Sequence, residues 1–304
     1  MPKAWIMRLH RWMALLFALP LCVVFVTGLI LAFEPAIVST SIAPKSVDAG
    51  QVQAILAKHD PDGKLERIFI HPQLGTLVLG NRGGVEINLA TGEPAASPSR
   101  SLAIFALARK IHETLLIDDG HLFVTISTCA LLVLILLGLL MGTRPLRNTA
   151  SGWHTGAAWI ALPLVLMAPL TGLMMLYKIT FSGAEPKLDE AARPLSLADA
   201  LLVVARDRDV STLLSLRQRK GVAEARLLES GEHRNYIVSG DTLKLRPRNW
   251  PKLLHEGNWA GVWSAALNAL IATTFMTLLG TGVFIWGRRK VRRRRQLAQR
   301  AAAY

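Results

Sequence analysis

Four histidines of this 304-residue chain recur at matched positions. His10, in R-L-H-R-W, stands before one long apolar run, and His154, in G-W-H-T-G, stands before another. Each lies 17 residues ahead of a Thr-Gly-Leu, at Thr27 and at Thr171. His112, in K-I-H-E-T-L, and His255, in L-L-H-E-G-N, precede two further apolar runs in the same way. His10 and His154 are 144 residues apart, and His112 and His255 are 143 apart. An interval kept in two independent pairs describes two copies of one unit, in which each histidine meets its own counterpart. Haem iron accepts two axial imidazoles. The spacing therefore predicts two bis-histidine haem sites, His10 with His154 and His112 with His255. No nucleophile elbow, H-E-x-x-H, P-loop or dinucleotide fingerprint accompanies them, so hydrolase chemistry is not expected.

The elements that must position these side chains are membrane helices. Residues 13–33, 122–142, 157–177 and 262–286 are apolar and almost free of charge, and each crosses a hydrocarbon core of roughly 30 Å at about 1.5 Å per residue. The first run is too long for the ~7–15 residues of a signal h-region, so it is read as an uncleaved anchor. The segments 1–12, 143–154 and 287–304 hold 3, 2 and 8 Lys or Arg and no acidic residue. By the positive-inside rule they are cytoplasmic, which puts both termini inside and residues 34–121 and 178–261 outside, with 143–156 as the inner loop and 287–304 as a basic tail. Those short segments account for 13 of the 35 basic residues, leaving 22 against all 21 acidic ones. The pI near 10.5 is thus a juxtamembrane property suited to anionic membrane lipid, and nucleic acid is not expected as a partner. Cys22 and Cys129 both fall inside membrane runs, so no disulfide framework or thiolate metal motif is present.

This topology gives the histidines depth. His10 and His154 lie at the cytoplasmic end of the bundle, His112 and His255 at the outer end. A porphyrin between helices needs small residues beside it. Gly28 and Gly172 fall at the outer depth, and Gly138, Gly142, Gly280 and Gly282 at the inner depth. Arg8 and Arg11 inside, and Arg109, Lys110 and Lys252 outside, are candidate partners for propionates. His59, His71 and His233 are expected to be solvated loop histidines. His121, beside Asp118 and Asp119, remains a candidate ligand or proton carrier.

Each outer segment has room for a small α+β module. In the first, Q-V-Q-A-I-L-A-K-H has helical spacing, and E-R-I-F-I, T-L-V-L-G and V-E-I-N-L read as strands, with N-R-G-G as a turn. In the second, L-A-D-A-L-L-V-V-A is the helix, and S-T-L-L-S-L, E-A-R-L-L-E and N-Y-I-V-S are the strands. The predicted fold is a helical membrane protein with four transmembrane helices, built as a tandem duplication and carrying two small outer modules.

R-L-H-R-W-M-A-L-L followed by V-T-G-L-I-L-A-F resembles the first helix of the PepSY-associated transmembrane family. V-E-I-N-L-A-T-G-E, Val85 to Glu93, is similar to the strand and T-G-E turn that closes a PepSY module, a turn with no clear counterpart in the second segment. The resemblance spans nearly the whole chain. It implies a bacterial inner-membrane protein linked to iron uptake, similar to siderophore reductases that hold two b-type haems between four helices, here on His10 with His154 and on His112 with His255. The function it implies is a conduit that takes electrons from a cytoplasmic reductase or quinol and reduces a ferric siderophore in the periplasm. The alternative is a non-catalytic PepSY protein that binds a peptide, a peptidase or an uptake partner. A transporter would want polar side chains at the bilayer midplane, where Asn268 and a few Ser or Thr stand almost alone.

Overall fold

The computed structural model describes residues 3–80, 84–143, 147–186, 195–219 and 221–302. Three residues of the N-R-G-G turn, Asn81 to Gly83, lie outside that range, as does Arg144 of the 143–156 loop. The helices are α1 (Lys3–Leu16), α2 (Ala18–Ala32), α3 (Glu34–Ser41), α4 (Ala49–His59), α5 (Arg100–Thr114), α6 (Gly120–Leu140), α7 (Ala150–Ile160), α8 (Leu162–Leu176), α9 (Leu197–Asp207), α10 (Trp250–Glu256) and α11 (Val262–Ala301). The strands are β1 (Arg67–His71), β2 (Thr76–Leu79), β3 (Val85–Asn88), β4 (Leu213–Arg219), β5 (Val222–Glu229), β6 (Glu232–Ser239) and β7 (Thr242–Leu245). The chain divides into a helical unit, Met1–Leu31, Ala108–Tyr177 and Leu267–Tyr304, and a sheet unit, Ala32–Leu107 and Lys178–Ala266.

Three helical stretches in the described residues are long and apolar enough to span a membrane: Ala18–Ser41, Gly120–Leu140 and Val262–Ala301. A fourth span is reached when α7 and α8 are taken together across their 64° bend. Pro163, at the start of α8, brings no amide hydrogen and its ring crowds the carbonyl four residues back, which breaks the ladder there. Between α1 and α2 the ladder carries on, Phe17 N donating to Met13 O and Leu21 N to Phe17 O, both at 3.0 Å. All four spans contribute to one apolar centre: Leu21 and Phe25 from α2, Leu134 from α6, Val165 from α8, and Ile271 and Phe275 from α11. The Phe25 and Phe275 rings stack with centroids 4.7 Å apart. Outward-facing Leu19 and Ile160 are about as exposed as side chains become, 76% and 81%, as expected of surfaces solvated by lipid rather than water.

The sheet unit holds seven antiparallel strands in the order β3-β2-β1-β4-β5-β6-β7. Residues 34–121 and 178–261 both feed this one sheet. They meet at the β1–β4 pair, where Ile68 lies opposite Leu216 and Phe69 opposite Ser215. The expected pair of modules is thus one α+β unit with one core, because α4 and α9 pack together and cover a common set of buried side chains that includes Val52, Ile68, Leu77, Leu201 and Leu216. Alternation selects the covered face: Ile68 and Ile70 of β1 are buried, and Arg67, Phe69 and His71 between them are not. Each helix starts on a side-chain cap, Asp48 accepting from Gln51 N and Ser196 accepting from Asp199 N. The strands read from the sequence correspond to β1–β6. Strand β7 and the helices α3, α5 and α10 were not expected, and two of these helices, α5 and α10, carry His112 and His255.

Candidate functional site

The helical unit brings His10 and His154 within electrostatic reach of one another. His10, half-buried on α1, places Nδ1 3.1 Å from the carbonyl oxygen of Leu134 on α6. His154, half-buried on α7, places Nδ1 2.9 Å from the hydroxyl of Thr281 on α11. His112, in the last turn of α5, places Nδ1 3.1 Å from Val24 O and 3.1 Å from the Thr27 hydroxyl, both on α2.

These contacts determine the tautomers. A carbonyl oxygen only accepts, so the hydrogen between His10 and Leu134 and that between His112 and Val24 must sit on Nδ1. The Thr281 hydroxyl donates its own hydrogen to Thr277 O at 2.6 Å, so towards His154 it acts as an acceptor. In each neutral ring the lone pair is then on Nε2. Histidines that bind a metal usually donate their other ring N–H to a carbonyl or similar acceptor, which orients the ring and makes the ligating nitrogen more basic. All three imidazoles have that arrangement.

The levels are well separated within the helical unit. His10 and Thr27, the residue that meets His112, are 17 residues apart on the α1–α2 run, which corresponds to about 25 Å of helix. The unit therefore offers imidazoles at two depths. Among the described residues no three His, Cys, Asp or Glu cluster as a metal site. A porphyrin brings four nitrogens of its own and asks the protein for only two ligands, which is what a histidine pair provides.

The glycines divide by role. A Cβ on Gly28 would stand 3.3 Å from His112 Cε1, and one on Gly282 would stand 3.6 Å from His154 Cε1. Both glycines let an imidazole lie against a helix backbone. Gly138 follows Leu134 by one turn and Gly280 adjoins Thr281, and a Cβ on either would have no atom outside its own helix within 4 Å, Gly280 lying exposed on the helix surface. Gly172 is half-buried on α8. Gly142 adopts φ 73° immediately after α6, so its requirement is for the left-handed backbone that ends the helix.

Other expectations resolve differently. His255 is half-buried on α10 in the sheet unit, and its pairing with His112 stands on the 143-residue interval alone. His121, in the first turn of α6, is exposed. His59 is not a solvated loop histidine: it closes α4 and donates from Nε2 to Gly92 O at 2.9 Å, pinning the T-G-E turn. His71 belongs to β1. His233 belongs to β6, and its Nδ1 is buried. The acceptors Leu134, Val24 and Thr281 escaped the sequence reading, since a backbone carbonyl carries no residue signal. The one available clue was Thr27, in the Thr-Gly-Leu already singled out.

The sequence profile of the PepSY-associated TM region matches residues 7–289. No curated protein matches the chain.

Proposed function

The chain belongs to the PepSY-associated TM region family, and from that premise we propose that it is a di-haem electron conduit of the bacterial inner membrane that reduces a ferric siderophore or similar ferric chelate on the periplasmic side during iron uptake. The observation that carries this reading is the shared orientation of His10, His112 and His154, each with Nδ1 held by an acceptor and the Nε2 lone pair left to bind iron. Haem b held between two imidazoles supplies reversible one-electron chemistry. His10 with His154 would hold one such group at the inner level and His112 with His255 the other at the outer level, as expected of a tandem duplication. Leu134 O, Val24 O and Thr281 Oγ1 keep the rings in register, while Gly28 and Gly282 admit them against the helices. Arg8 and Arg11 would meet propionates at the inner level and Arg109, Lys110 and Lys252 at the outer one.

Reduction suits iron release, because hard oxygen donors hold ferric iron more tightly than ferrous iron. The electrons would come from a cytoplasmic reductase or from quinol. The absorption spectrum of the purified full-length protein tests the proposal directly. Sharp b-type bands after dithionite, with two haems per chain, are the expected result. A protein without those bands would instead be a non-catalytic PepSY protein that binds a peptide, a peptidase or an uptake partner.

Orientation is tested separately. A reporter active only outside the cytoplasm is expected to work when fused after residue 95 or 215 and to be silent after residue 148 or at the C-terminus. The basic flanks of α1 and α7 and the basic end of α11 motivate that pattern. The reverse pattern would exchange the inner and outer levels and remove the periplasmic assignment.

A further inference from the structure

The sheet unit contains a second candidate site, which shares α10 and its Lys252 with the proposed outer histidine level. A small, solvent-open cleft lies among β5, β6, the 246–249 link and α10. Its lining is strongly basic: Arg226, Arg234, Arg246, Arg248 and Lys252 stand against two carboxylates, Glu232 and Glu256. Most of these cations are engaged. Glu232 takes both Arg234, at 3.1 Å, and Arg248, at 2.7 Å. Arg246 is held by Glu185 and Glu224, and Lys252 lies 3.8 Å from Glu256. Arg226 differs. Its Nε donates to Asn235 Oδ1 at 3.1 Å, and its two terminal nitrogens have no protein acceptor among the described residues.

Two buried polar atoms on the lining also lack partners. Asn258 is only 8% exposed. Its amide nitrogen donates to Glu256 at 2.9 Å, and its Oδ1 receives nothing. His233 Nδ1 is buried and unpartnered as well, and burial together with the Arg226 charge pushes this imidazole down to about 4, so the ring is neutral. A buried carbonyl oxygen left without a donor keeps its desolvation penalty uncompensated. The same lining thus holds spare guanidinium donors and an acceptor that wants a hydrogen.

We propose that this cleft binds an oxyanion that also carries a hydroxyl, its charged oxygens on Arg226 and its O–H on Asn258 Oδ1. Monohydrogen phosphate has this chemistry, and so does a hydroxyl-bearing anionic lipid headgroup such as phosphatidylglycerol. The lipid source is relevant because Asn258 precedes the membrane-spanning α11 by only a few residues.

Calorimetric titration of the full-length protein in phosphatidylcholine nanodiscs with inorganic phosphate and with sulfate tests the proposal. Phosphate keeps a proton at neutral pH and sulfate does not, so phosphate is expected to bind about tenfold more tightly or better. Arg226→Gln is expected to weaken phosphate by about tenfold while its melting curve stays that of the wild type. Phosphate binding abolished in phosphatidylglycerol nanodiscs would identify a lipid headgroup as the occupant, and equal binding in both lipids would identify a dissolved anion. Sulfate binding as well as phosphate, phosphate binding unaffected by Arg226→Gln, or no binding of phosphate in phosphatidylcholine would each overturn the proposal. The sulfate comparison needs no variant, so it decides even where Arg226→Gln fails to fold.

Discussion

Alanine at His10 or at His154 is expected to remove one of two haems and leave the other in place, halving the haem measured per chain. Alanine at His112 or His255 is expected to remove the complementary one. The two classes should differ in the reduced spectrum and in redox potential, since they empty different depths. The prediction rests on geometry for three of the four residues: the Nδ1–H of His10, His112 and His154 is committed to Leu134 O, Val24 O and Thr281 Oγ1, which leaves Nε2 as the ligating nitrogen. It rests on the 143-residue interval for His255. Gly28→Val is expected to behave as His112→Ala does. Even a single Cβ at Gly28 would lie 3.3 Å from His112 Cε1, and the two further methyl groups of valine cannot fit without displacing the ring. Full haem content in all four alanine variants would sink the assignment. Loss of both haems in every variant would mean that the levels do not bind independently.

The second large effect is on transmembrane reduction. In vesicles loaded with a reductant on the cytoplasmic side, the wild type is expected to reduce a ferric siderophore on the other side, followed with a ferrous-specific chelator. His10→Ala and His154→Ala are expected to bring that rate down to the level of empty vesicles while the outer haem's spectrum persists. His112→Ala and His255→Ala should have the same effect on the rate. The reason is distance. A span such as the 21-residue α6 covers roughly 30 Å, too far for an electron to move without an intermediate station. The two histidine levels lie about 25 Å apart along the α1–α2 run. Wild-type rates in the His10→Ala protein, from a cytoplasmic donor, would end the conduit mechanism and favour the accessory role.

Several levels of this organisation are legible without coordinates. The α2, α6 and α11 spans follow from uninterrupted hydropathy, and β1–β6 follow from apolar alternation bounded by glycine. Both are local signals, set by a few neighbouring residues and the period of the backbone. Helix α5 is not apolar throughout, and α10, although capped by Asn249 and closed by Gly257, is only seven residues long, so neither shows a sustained helical pattern and both hold together through packing rather than propensity. Strand β7 is only four residues long, two of them exposed, and carries little pattern.

The sequence by itself determined the hydrophobic spans, the strand content and the repeated histidine positions, because each of these is written in short-range periodicity or in counted intervals. The tertiary structure alone decided three further things. Ile68 and Leu216, 148 residues apart, were brought side by side to fuse two segments into one sheet. The buried Nδ1 of His233 and the unpartnered oxygen of Asn258 were placed on one basic cleft. Most consequentially, the Val24 carbonyl was turned towards His112 and Thr281 towards His154, choosing which ring nitrogen carries the hydrogen. Those outcomes depend on which surfaces meet once apolar faces are buried, and a hydrogen bond between residues 88 or 127 positions apart leaves no trace in the local pattern of either one.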